Sequence, residues 1–75
     1  MTERQQAIIN FIATYREGHG YPPTVREIGK SVGLASSSTI HGHINRLEKN
    51  GFLTRKVESA RTITLTEKGM HAICK

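Results

Sequence analysis

Residues 18–23 read Gly-His-Gly-Tyr-Pro-Pro, two glycines and two prolines in six positions. Proline fixes φ and lacks an N–H, and glycine loses the most freedom on ordering, so no regular element crosses this segment. The residues before it must form one element, and the residues beyond it must begin another. Upstream, Ile8, Phe11, Ile12 and Tyr15 recur at helical spacing, with Ile9 widening the stripe. Thr2 with Gln5 forms a capping box. The spacing predicts a helix over residues 2–17, ended by Gly18. The stripe could serve a partner's groove, but a chain with so few apolar residues needs it for its own core.

Downstream, Thr24 and Glu27 make a second capping box. Val25, Ile28 and Val32 are the buried stripe of a helix about two turns long. Gly33 stands where a left-handed residue closes a helix. Leu34 and Ala35 come next, and Ser36 caps a third helix over residues 37–49, ended by Asn50 and Gly51. Ile40, Ile44 and Leu47 lie at i, i+4 and i+7 and face inward. Two helices joined by a short turn containing glycine form the helix-turn-helix pattern.

The period then changes. Residues 52–57 read as a strand, 58–60 as a polar turn, and 61–66 alternate polar and apolar side chains as a half-exposed strand does. These make a β-hairpin, or wing. Thr66 can cap a short final helix through Ile73, against which the weak helix former Gly69 counts. The expected fold is mainly α with a small β-hairpin: a three-helix winged helix-turn-helix with a short C-terminal helix, one domain over residues 1–75.

Composition narrows the function. A chain of 75 residues buries only ~60% of its unfolded surface. It has no Trp, two Phe and two Tyr, which leaves little from which to build a substrate pocket. It contains no Asp, which excludes a Ser-His-Asp triad, and no glycine-rich phosphate loop follows a strand. We expect no enzyme, no cofactor and no small-molecule substrate. Eleven Lys and Arg against six Asp and Glu give a net charge of +5, which favours a polyanionic partner. The single cysteine, Cys74, cannot form an internal disulfide and fits a reducing compartment. No apolar run is long enough to span a membrane, and residues 1–6 lack a signal-peptide layout. The expected location is the cytoplasm.

The third helix carries the chemistry. Opposite its apolar stripe lie Ser38, His41, Gly42, Asn45 and Lys49, flanked by Ser37, Thr39 and Arg46. Only Glu48 brings a carboxylate near this face, whereas most solvated helix faces mix both charges. Small hydroxyls and a glycine allow close approach to bases. Asn can pair with adenine N6 and N7, and Thr can offer its methyl to thymine. A serine-rich first turn with no task is the plain alternative. The N–H groups at the helix start, with Ser36, Ser37 and Ser38, favour phosphate. Arg26 and Lys30 on the second helix are placed for the flanking backbone.

On the wing, Arg55, Lys56 and Arg61 can follow a phosphate strand or enter the minor groove. For Lys56 an aggregation-blocking edge charge is an equal alternative; Arg61 is assigned to DNA. His41 and His43 do not form a metal site, because on a helix they diverge by about 200° and no further ligand joins them. His43 reads as half-buried packing and His41 as a base contact.

These residues resemble the N-terminal DNA-binding domain of LexA-type SOS repressors. The resemblance rests on Thr2-Glu3-Arg4-Gln5-Gln6, on Gly20-Tyr21-Pro22-Pro23-Thr24-Val25-Arg26-Glu27-Ile28-Gly29, on Val32-Gly33-Leu34-Ala35-Ser36-Ser37-Ser38-Thr39-Ile40-His41-Gly42-His43, and on Leu47-Glu48-Lys49. It covers roughly residues 1–65. It implies three helices and a two-stranded wing. It also implies a dimer on a palindromic operator, the third helix in the major groove, and repression of DNA-damage genes. Ser36, Ser38, Thr39, His41 and Gly42 match family positions at the base-reading surface. Such repressors continue into a self-cleaving serine-lysine peptidase domain with no counterpart in these 75 residues. The stretch Thr66-Glu67-Lys68-Gly69-Met70 instead resembles the close of stand-alone winged-helix proteins. The expectation is a free-standing regulator or an excised domain.

The leading reading is a sequence-specific regulator that binds double-stranded DNA as a homodimer, through DNA or through residues 66–75. The alternative is a winged-helix protein-interaction module, since fold does not fix function. Such a module should expose Leu, Met or aromatic residues where this chain has Ser, Thr, His and Asn.

Overall fold

The computed structural model describes residues 2–34, 36–56 and 63–73. Among the described residues, four helices and two strands run in the order α1 (Glu3–His19), α2 (Val25–Ser31), α3 (Ser37–Lys49), β1 (Leu53–Thr54), β2 (Thr64–Leu65) and α4 (Glu67–His71). This is the winged helix-turn-helix expected from the sequence, with differences at the element ends.

The helix starts are local chemistry. Thr2 and Thr24 each accept from the N–H three residues on, and the side chains of Gln5 and Glu27 return the bond to the cap N–H. Ser36 caps α3 by accepting from the Thr39 N–H at 3.4 Å. Thr66 caps α4 by accepting from the Gly69 N–H at 3.1 Å.

The helix ends are set by backbone. Gly33 has φ 74°, and the N–H groups of Gly33 and Leu34 donate to Lys30 O and Gly29 O at 3.4 and 2.9 Å. That pair of bonds is the left-handed closure predicted for α2. In α1 the expected stop moves. Gly18 lies inside the helix, and Gly20, at φ 80°, donates to Arg16 O and ends it. The ring of His19 stacks on Tyr15 at 3.9 Å, and its Nδ1 lies 3.0 Å from Tyr15 O, which favours the extra half-turn.

The core is one cluster: Ile8, Ile9 and Ile12 from α1, Ile28 from α2, Ile40, Ile44 and Leu47 from α3, then Leu53 and Ile63. Among the described residues, nine near-fully buried aliphatic side chains at ~2 kcal/mol each supply the main driving force for folding. Val25 and Val32, expected in the α2 stripe, are only partly buried at its margin. Phe11 is likewise marginal. Tyr15 is half-buried and donates to Glu27 Oε2 at 2.9 Å, tying α1 to α2.

The wing strands are shorter than their alternation predicts. Leu53 pairs with Leu65 and Thr54 with Thr64, antiparallel. Residues 55 and 56 leave the ladder. The predicted turn at 58–60, and Arg61, lie outside the described residues. So does Cys74. The final helix forms but ends at His71, before Ile73. Gly69 does not weaken it. A Cβ there would lie 2.0 Å from Phe52 O, so glycine is what lets α4 rest on the base of the hairpin. Among the described residues, no helix is long and apolar enough to cross a membrane.

Candidate nucleic-acid interface

Packing decides which side of α3 is free. Ile40, Ile44 and Leu47 are 2%, 0% and 0% exposed, so this edge is sealed against the core. Ser36, Ser38, Thr39, His41, Gly42, Asn45, Arg46 and Lys49 are all exposed. The stripe expected to read DNA is thus brought together on one surface. Of Ser37 only its place at the start of α3 is described. His43 is half-buried beside the core, as its position predicted.

The electrostatics of α3 favour an anion at its start. Its first turn has no acidic residue, unlike α1, α2 and α4, while Arg46 and Lys49 stand in its last turn. The dipole and the free N–H groups of the first turn therefore go uncompensated by a carboxylate. Ser36 satisfies one of those N–H groups and keeps its own O–H to donate.

Gly42 is the informative gap. A Cβ there would meet nothing within 4 Å. No contact in the described structure requires glycine, although glycine in a helix interior costs about 1 kcal/mol relative to alanine. A small residue facing open space suits close approach by something from outside.

Two basic groups flank the stripe. Arg26 and Lys30 are exposed on α2 and line, with His41, a cleft over Gly29 and Ile40. On the other side Arg55, Lys56, Thr54 and Thr64 line a hollow on the wing. The two threonines were not singled out from the sequence; strand pairing brings Thr64 opposite Thr54. Arg55 is half-buried and turned toward α3. Its Nη2 donates to Asn45 Oδ1, and its Nε lies 3.5 Å from Glu48 Oε1. Glu48, beside the exposed stripe of α3, is therefore paired with a wing cation. Lys56 is exposed.

The family model described as LexA DNA binding domain matches residues 1–62. The chain belongs to this family. Its LexA relatives include the LexA repressor of Oenococcus oeni, 53% identical over 70 residues, which are 93% of this chain and 33% of that protein. The LexA repressor of Brevibacillus brevis is 57% identical over 65 residues, 87% of this chain and 31% of its own length. The chain thus spans about a third of the length of these LexA relatives. Among solved structures, the transcriptional regulator Tm0710 from Thermotoga maritima superposes with TM-score 0.72 and 28% identity, over 95% of this chain and 47% of that one. A mutant of MepR from S. aureus superposes with TM-score 0.79 over 97% of this chain and 53% of its own. At 16% identity that second likeness speaks for the fold alone.

Proposed function

We propose that this chain is a sequence-specific double-stranded DNA-binding repressor domain that docks α3 in the major groove. The observation that carries the reading is the exposed, nearly carboxylate-free stripe Ser38–His41–Gly42–Asn45–Lys49 on a helix whose opposite edge is sealed into the core. Ser36, Ser38, Thr39, His41, Gly42 and Asn45 read base edges in this proposal. Arg26, Lys30, Ser37, Arg46, Lys49, Lys56 and Arg61 neutralise phosphates or enter the minor groove. Arg55 has N–H groups left over for a phosphate after its bonds to Asn45 and Glu48. The repressor names of its relatives support repression as the output.

Two copies bind a palindromic operator, with half-sites about one helical turn apart, because one such helix contacts too few base pairs to be selective alone. The domain acts in the cytoplasm. Selection from a random duplex pool tests the reading. A two-fold symmetric consensus supports it, and enrichment flat across sequences overturns it.

A further inference from the structure

Resting on that reading, we infer that Arg55 is a positioning residue that fixes the side-chain amide of Asn45, and that Asn45 therefore reads a base edge rich in acceptors, guanine before adenine. Arg55 follows β1 and reaches across to α3. Its Nη2 donates to Asn45 Oδ1, and its Nε faces Glu48 Oε1 at 3.5 Å. Asn45 and Glu48 are three residues apart on one helix, so a single guanidinium spans both. The Arg55 side chain keeps 22% of its exposure, which holds the fork against the helix surface.

A guanidinium carries only donors. The amide atom that faces it must therefore be the oxygen. The orientation of an exposed asparagine is usually open to either choice, and here a neighbour decides it. With Oδ1 engaged by Arg55, Nδ2 is the atom offered to a partner. An unrestrained asparagine recognises adenine by donating to N7 while accepting from N6. Arg55 occupies one lone pair of Asn45 Oδ1 and fixes the amide with Nδ2 as its unengaged atom. The two N–H groups of Nδ2 suit an edge that presents acceptors alone, and in the major groove guanine sets O6 beside N7. Thymine offers only O4, next to a methyl group.

The test compares base preferences of the wild type, Asn45→Ala and Arg55→Lys in selections from one random duplex pool. The wild type is expected to favour guanine over adenine about tenfold at one position of each half-site, within the range for a base-edge contact. Asn45→Ala should erase that preference alone. Arg55→Lys keeps the charge but loses the fork, so adenine should rise to near parity there. Asn45 is exposed and Arg55 half-buried, so a thermal melt checks that each variant is folded. Three outcomes overturn the inference: adenine favoured by the wild type at the position Asn45→Ala flattens, no position altered by Asn45→Ala, or an Arg55→Lys profile that superposes on the wild type. A wild-type profile with no consensus overturns the proposed function and this inference together. A consensus indifferent to both substitutions removes this inference and leaves the function standing.

Discussion

The carbonyl oxygen of Phe52 stands 2.0 Å from where a Cβ on Gly69 would sit. Helix α4 and the hairpin base touch through backbone, with Leu65 Cδ2 closing in at 3.3 Å. Gly69→Ala must push the two apart, so it should lower stability by about 3 kcal/mol, at the upper end for overpacking. The melting temperature should fall by more than about 10 °C. Gly29→Ala is the control. Its Cβ would rest 3.6 Å from Ile40, an ordinary contact, and the helix gains about 1 kcal/mol of propensity. Circular dichroism melts of the two variants should move in opposite directions or leave Gly29→Ala unchanged.

Glu27 holds two elements at once. Oε1 accepts from the Thr24 N–H at 2.8 Å, and Oε2 accepts from the Tyr15 hydroxyl at 2.9 Å. Tyr15→Phe should cost about 1 kcal/mol, and Glu27→Ala more, because it removes half a capping box as well. A double-mutant cycle should return a coupling of about 0.5 to 1 kcal/mol. Strict additivity in chemical denaturation would show that the bond contributes nothing.

Gly42 separates stability from binding. Gly42→Ala fills empty space, so the domain should gain about 1 kcal/mol of stability. Affinity for the selected operator should nonetheless fall, since the added methyl stands on the face proposed to meet bases. A variant both more stable and equally tight would remove α3 from the interface at that point.

Charge and readout should part company in salt titrations. Arg26→Ala and Arg61→Ala should each weaken binding to all duplexes and reduce the salt slope by about 1. His41→Ala should instead relax base preference with little change of slope. Equal losses across every sequence from all three would contradict the assigned roles.

The caps and stripes were legible because each is written within a few residues: Thr2 with Gln5, Thr24 with Glu27, Ile40 with Ile44 and Leu47. The exposed face of α3 is a direct consequence of that last stripe. The end of α1 was not legible, since Gly18 and Gly20 both qualify and the stacking of His19 on Tyr15 favours the later one. Alternation through residue 66 overstated the wing, because a pattern of side chains does not say how far two strands stay paired. Gly69 was misjudged for a related reason: its helix propensity is local, but its contact with Phe52 is tertiary. The Asn45–Arg55–Glu48 cluster joins a helix to a strand end, and only the folded wing brings it together.

From Ser38 to Asn45 the stripe rises only ~10 Å, about three base-pair steps. As an information channel that is narrow. Three fully specified base pairs single out about one sequence in 64, and two copies about one in 4,000, against the ~10⁶ or more competing sites of a genome. The helix can therefore supply only part of the address. In the proposed docking the remainder falls to groove width and bendability, so operators sharing the same contacted bases should differ in affinity according to the uncontacted bases between them.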